Sequence, residues 1–129
     1  MLWYVLLGSA VGGGARFLLG TFVQQRTGAV FPVGTLLINI IGSLLIGFVL
    51  RYALGSTAVS AEVRALLTTG FCGGFTTFST FSYETVKLIE DGDWQRAAWY
   101  VGLSIVLSVA ATFVGMGLAR ELLDLRRRL

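Results

Sequence analysis

The sequence predicts an all-α membrane protein: four transmembrane helices in one domain, the third helix broken mid-membrane. Three observations carry that expectation. Of 129 residues, 55% are hydrophobic and 13% charged, where a soluble domain carries about 25% charge; the apolar excess is more than one small core can hide, so lipid covers part of it. Four apolar stretches approach the roughly 20 residues that cross a hydrocarbon layer about 30 Å thick. One of the four also holds a cluster of glycines and hydroxyls that a helix interior disfavours.

The first span covers about 2–23 and is interrupted only by Arg16. Its start lacks the basic region of a secretory signal and its apolar stretch is too long for one, so it reads as a retained span. The second span, about 31–52, begins beside Pro32, the single proline, which suits a first helical turn. The third, about 62–89, is uncharged from Ala65 to Tyr83; Ser60 fits as its cap, with Val63 where a complete capping box has Glu. The fourth, about 94–120, is uncharged from Ala97 to Ala119. Trp3, Trp94, Trp99 and Tyr100 fall near span ends, as interfacial aromatics do. The polar connections are too short for an extramembrane domain, so 1–129 reads as one four-helix unit.

Composition also excludes chemistry. There is no His and only one Cys, Cys72, which removes an internal disulfide, the usual zinc and haem ligands and the usual general acid–base residue. An enzyme is not expected. The net charge of +3 comes largely from Arg126, Arg127 and Arg128; beside a membrane helix such a run meets anionic lipid head groups rather than nucleic acid. Six basic residues flank the spans on the side of the termini and three (Arg26, Lys87, Arg96) on the other, which favours termini in the cytoplasm of a multi-pass cell-membrane protein. Without the tail arginines the two sides tie.

Gly8 and Gly12, and Gly70 and Gly74, have the small-xxx-small spacing that lets helix backbones meet. They serve packing within the chain or a contact between subunits. Four helices leave little room for a pore, so a transport role predicts at least a dimer.

The third span concentrates the chemistry. Gly73-Gly74 is followed by Thr76, Thr77, Ser79, Thr80 and Ser82. A break near 73–77 would free carbonyls and amides for an ion, and such backbone survives at membrane depth only in protein or beside a watery cavity. The span from Val63 to Ile89 is about 40 Å if fully helical, long enough to leave room for a break. The alternative is a continuous helix with hydroxyls bonded back to the preceding turn. Phe75, Phe78 and Phe81 recur every three residues; they form a packing stripe, or their positive ring edges face an anion between the hydroxyls of Ser79 and Thr80. Asn39, midway along the second span, packs helices or donates its amide to an anion. Tyr100, Ser104 and Ser108 share one face of the fourth helix, as a polar track or as glue. Arg16 snorkels or attracts anions at a pore mouth. Glu84 and Lys87, one turn apart, can pair locally. No carboxylate lies near the middle of a span, which suits passive anion passage better than proton-driven antiport.

Gly73-Gly74-Phe75-Thr76-Thr77-Phe78-Ser79-Thr80-Phe81-Ser82, with Gly34-Thr35-Leu36-Leu37-Ile38-Asn39 and Gly13-Gly14-Ala15-Arg16, resembles the Fluc-type fluoride channels, also called the CrcB family, over essentially the whole chain. The resemblance implies an antiparallel dual-topology homodimer with two fluoride pores, through which accumulated fluoride leaves the cytoplasm. It implies Phe78 and Phe81 as pore phenylalanines, Asn39 as the pore asparagine, Ser79 and Thr80 along the fluoride path, Tyr100, Ser104 and Ser108 as the polar track and Arg16 at the vestibule. It further implies a structural Na+ at the dimer interface, held by the backbone carbonyls of Gly73 and Thr76 from both subunits. Two other readings stand beside it: a proton-coupled four-helix multidrug exporter, which expects a carboxylate where the first span has Arg16, and a non-transporting membrane scaffold.

Overall fold

A glycine-rich apolar chain with one proline can satisfy its backbone in lipid by forming helices, and helix is what it forms. The computed structural model describes residues 1–129 and contains α1 (Leu2–Thr27), α2 (Val33–Gly55), α3 (Ala61–Ala65), a π-helical segment (Leu66–Cys72), α4 (Gly73–Phe75), α5 (Phe78–Glu90) and α6 (Trp94–Arg128). There is no strand. Three helices, α1, α2 and α6, are each long and apolar enough to cross a membrane. The stretch expected as the third span, about 62–89, is made of the shorter pieces α3 to α5 with the π-helical segment between them. Only 19 of 129 residues are buried, so most of the apolar side chains face outward, where lipid would cover them.

Local signals set the helix ends. Gly28 closes α1 in the left-handed conformation, its N–H donating to the Gln24 carbonyl. Gln24 then fixes the turn into α2: its amide donates to the carbonyls of Ala29 (2.7 Å) and Phe31 (3.1 Å) and accepts from the Gly34 N–H (3.0 Å). Pro32 stands one residue before the first turn of α2, as its cap. Ser60 caps α3 by accepting from the Val63 N–H at 3.2 Å. Asp93 caps α6 and pairs with Arg96 at 2.7 Å; the hydrogen bonds from Arg96 hold its carboxyl below the usual carboxylate range.

Helical extents differ from the hydropathy estimates mainly at the C-termini of α1 and α6, since helical hydrogen bonding continues after the apolar stretch ends. Α6 runs on through Arg128. Helical bonding in the third segment also runs through Gly73-Gly74 to Phe75; the extended residues are Thr76 and Thr77.

Two backbone seams hold the helices together. Along the first, α1 meets the π-helical segment and α4: a Cβ on Gly8 would collide with the Leu66 carbonyl, one on Gly12 with the Phe71 carbonyl, and one on Gly74 would lie 2.6 Å from the Ser9 carbonyl. Both small-residue pairs read from the sequence are therefore used inside the chain. The second seam joins α2 and α6, where Gly47 meets the Thr112 backbone and Gly115 meets that of Leu44. Residue numbers rise together along the first seam, and along the second the contacts advance from Gly47 on Thr112 to Gly55 on Leu123, so each pair of segments runs parallel.

Substitutions at the seams should separate packing from propensity. Gly12→Val is expected to prevent assembly or to lower the melting temperature of the purified protein by more than 10 °C, because neither contacting backbone can yield. Gly102→Ala, at a glycine with open space around it, should be neutral or stabilising by up to about 1 kcal/mol. Equal melting temperatures for the two variants would refute the seam.

Candidate functional site

Between α4 and α5 the chain is held open by one asparagine. The Thr77 N–H donates to Asn39 Oδ1 at 2.8 Å, and Asn39 Nδ2 donates to the Thr77 carbonyl at 3.2 Å. The amide thus pairs with both polar groups of the Thr77 backbone. A continuous helix would send the Thr77 N–H to the Gly73 carbonyl, a bond that is absent here. Thr77, 7% exposed, then caps the next helix: its hydroxyl accepts from the Thr80 N–H at 3.2 Å and donates to Thr80 Oγ1 at 3.0 Å. The 13-residue α5 therefore starts beside the extended pair, with its first-turn N–H groups and the positive end of its dipole there.

Arg16 turns toward the same place. Its Nη1 donates to the Thr76 carbonyl at 3.3 Å, and it has no carboxylate partner, the single ion pair being Asp93–Arg96. The guanidinium thus braces the extended backbone. Asn39 likewise has one amide hydrogen and its oxygen committed to Thr77, leaving one N–H free to donate.

Two depressions flank this point. One, of about 290 Å³, is lined by Asn39, Ser43, Cys72, Thr76, Thr77, Phe78, Phe81, Ser104 and Ser108 with Gly42, Ile46 and Ile105. The other, of about 780 Å³, takes in Arg16, Thr35, Thr77, Thr80, Glu84 and Lys87 among its lining residues. Thr77 borders both. The sequence candidates thus divide: Asn39, Thr76, Phe78, Phe81, Ser104 and Ser108 share the smaller groove, while Arg16 and Thr80 lie in the larger one. Ser79 and Gly73 are exposed and border neither.

The phenylalanine triplet is split by the extended pair. Phe75 is 3% exposed and stacks on Phe71, ring centroids 5.6 Å apart. Phe78, 79% exposed, tilts against Phe81 at 5.4 Å, and Phe81 leans on Tyr100 at 5.1 Å. Tyr100 lines neither depression, is fully buried, and meets Phe31 edge-on at 5.5 Å. The Tyr100 hydroxyl and Ser104 Oγ are both buried without a hydrogen-bond partner. A buried hydroxyl left unpaired costs about 1–3 kcal/mol, so Ser104, which lines the groove, presents it with one donor in need of an acceptor.

Thr35 and Glu84 form a contact that sequence reading missed. Thr35 Oγ1 donates to Glu84 Oε1 at 2.5 Å. The local Glu84–Lys87 pair is not formed, because Glu84 faces α2 instead. Thr77 falls inside the expected break at 73–77, but its partner Asn39, 38 residues away, was not foreseen.

For a bound Na+, the chain offers backbone oxygens of the right kind. The Gly73 carbonyl lacks the N–H that Asn39 diverted, and hard cations prefer such oxygens. The Thr76 carbonyl is shared with Arg16, which weakens its pull on a cation. No cluster of three or more acidic, Cys or His side chains exists to supplement them. One chain supplies too few ligands to hold the ion by itself.

The family model described as CrcB-like protein, Camphor Resistance (CrcB), matches residues 3–116. A Roseiflexus sp. protein named Fluoride-specific ion channel FluC is 46% identical over 118 residues, covering 92% of this chain and 95% of its own. Proteins of the same name from Geobacter sulfurreducens and Aquifex aeolicus are similar: the first is 50% identical over 88% of this chain and 91% of its own, the second 43% identical over 95% and 98%. Matched by the family model over residues 3–116 and by relatives along nearly its full length, the chain belongs to the CrcB family.

Proposed function

We propose that this chain, paired with an inverted second copy, forms a fluoride-selective channel through which fluoride leaves the cytoplasm passively across the cell membrane. One observation carries the reading: relatives that align over about nine-tenths of the chain or more are named fluoride-specific ion channels. The chain is a multi-pass membrane protein and not an enzyme. No observation favours the exporter or the scaffold.

The chemistry of the groove supports this function. A small anion gives up hydration water only where other donors replace it. Ser104 Oγ is unpaired and buried, Ser108 lies one turn further on, Asn39 keeps one free N–H, and Phe78 and Phe81 offer ring edges. The start of α5 adds a favourable dipole, and Arg16 places a full positive charge near the extended backbone. Ser79, Thr80 and Tyr100 extend the hydroxyl-bearing wall on either side. On this reading the interruption at Thr76-Thr77 lies mid-membrane. The large exposure of Phe78 fits a ring that a second copy covers, and the antiparallel arrangement puts equivalent grooves in both directions. Exposed Gly73 fits a Na+ shared between copies, bound by the Gly73 and Thr76 carbonyls of each and fixing the pair rather than moving through it.

Three measurements test this. Liposomes holding the purified protein should release fluoride rapidly and chloride negligibly without a proton gradient; equal halide release, or strict dependence on a proton gradient, refutes the channel. Phe78→Ile and Phe81→Ile should each lower fluoride efflux at least ten-fold while the protein still elutes as a dimer. Asn39→Asp should lower efflux similarly and also lower the melting temperature, since the Thr77 carbonyl loses its donor at a cost of about 1–3 kcal/mol; normal flux from all three variants removes the groove from the pathway. For the ion, exchange of Na+ for N-methylglucamine should reduce dimer stability by cross-linking and thermal assays. Unchanged dimer stability argues against Na+.

A further inference from the structure

We infer that the common end of α2 and α6 binds the phosphate group of an anionic phospholipid. Because the two helices run parallel, their C-terminal ends meet: Gly55 packs on Leu123, and Arg126 Nη1 donates to the Tyr52 hydroxyl. The Tyr52 ring is itself fixed by stacking on Phe48, centroids 6.0 Å apart and 7° from parallel. The hydroxyl accepts from Arg126 and keeps its own O–H to donate, while the guanidinium keeps further N–H groups. Arg51 follows Phe48 by three residues and precedes Gly55 by four, on the same face of α2.

The positive charge at this end is not cancelled. Glu121 and Asp124 share the last turns of α6 with Arg120, Arg127 and Arg128, yet the one ion pair in the molecule is Asp93–Arg96 at the start of that helix. The cluster stands just beyond Ala119, where the uncharged stretch of α6 ends. Tyrosine and arginine at the end of a span belong to the head-group layer. Exposed Leu54 and Leu125 flank the cluster and give acyl chains an apolar surface. That flank favours a lipid over a free phosphate.

Each basic residue near an anionic surface gives about a five-fold preference. Native mass spectrometry of the full chain with phosphatidylglycerol or phosphatidylcholine should therefore show at least five-fold greater retention of the anionic lipid. The triple variant Arg126→Gln, Arg127→Gln, Arg128→Gln should reduce that ratio to within two-fold of unity. Tyr52→Phe, which leaves net charge unchanged, should lower it about three-fold. Each variant is first checked for an unchanged melting temperature in phosphatidylcholine; if one fails, Arg127→Gln alone, which spares the tyrosine contact, should lower the ratio about five-fold. Equal retention of the two lipids by the wild type overturns the site. So does a Tyr52→Phe ratio equal to wild type, which means diffuse attraction without a seat. Displacement of the lipid by equimolar glycerol phosphate overturns it in favour of a soluble phosphate ligand.

Discussion

The pairing of one side-chain amide with one peptide unit organises the centre of this molecule. Asn39 satisfies both the N–H and the carbonyl of Thr77, and with that the third segment can leave its helix without abandoning polar groups in a place where water is scarce. The consequences extend in both directions along the chain. Upstream, the Gly73 carbonyl loses its helical partner and Thr76 turns its own toward Arg16. Downstream, Thr77 is free to cap α5, which sets the azimuth of Phe78 and Phe81. The groove, the brace from Arg16 and the helix start all follow from a contact between α2 and a residue 38 positions later.

The two glycine seams make that contact possible. They bring α1 onto the π-helical segment and α2 onto α6 at backbone distance, and Gly42 leaves room for the Thr76 side chain against α2, so that the short Asn39 side chain reaches Thr77. The π-helical turns between α3 and α4 belong to the same adjustment. Such wide turns recur near functional sites, and here they end where α4 begins its approach to the extended pair.

Much of this was legible in the residues. Hydropathy located the spans, because lipid demands the same length of apolar chain wherever it is crossed. Asn39, Arg16 and the hydroxyl ladder stood out as polar groups in apolar surroundings. The exact interruption was less legible. Gly73-Gly74 suggested the weak point by propensity, yet both stay helical, and Gly74 is there to let Ser9 approach. The helix ends two residues later because of Asn39, a tertiary partner that no local window contains. The same limit hid Thr35 with Glu84, separated by 49 residues, and made Lys87 seem the better partner on spacing alone. The Phe periodicity misled in the same way, since an extended pair inside the repeat sends Phe75 inward and Phe78 outward.

The backbone seams also bear on how this gene can change. Every single-base change in a glycine codon that alters the amino acid adds at least a Cβ. At Gly102 and Gly117 the added atom meets open space within the chain, so a change to Ala there meets no steric penalty. At Gly8, Gly12, Gly47 and Gly115 it meets a neighbouring main chain, which no compensating side-chain replacement can shorten. Those codons have no neutral first step available to them, whatever happens elsewhere in the gene.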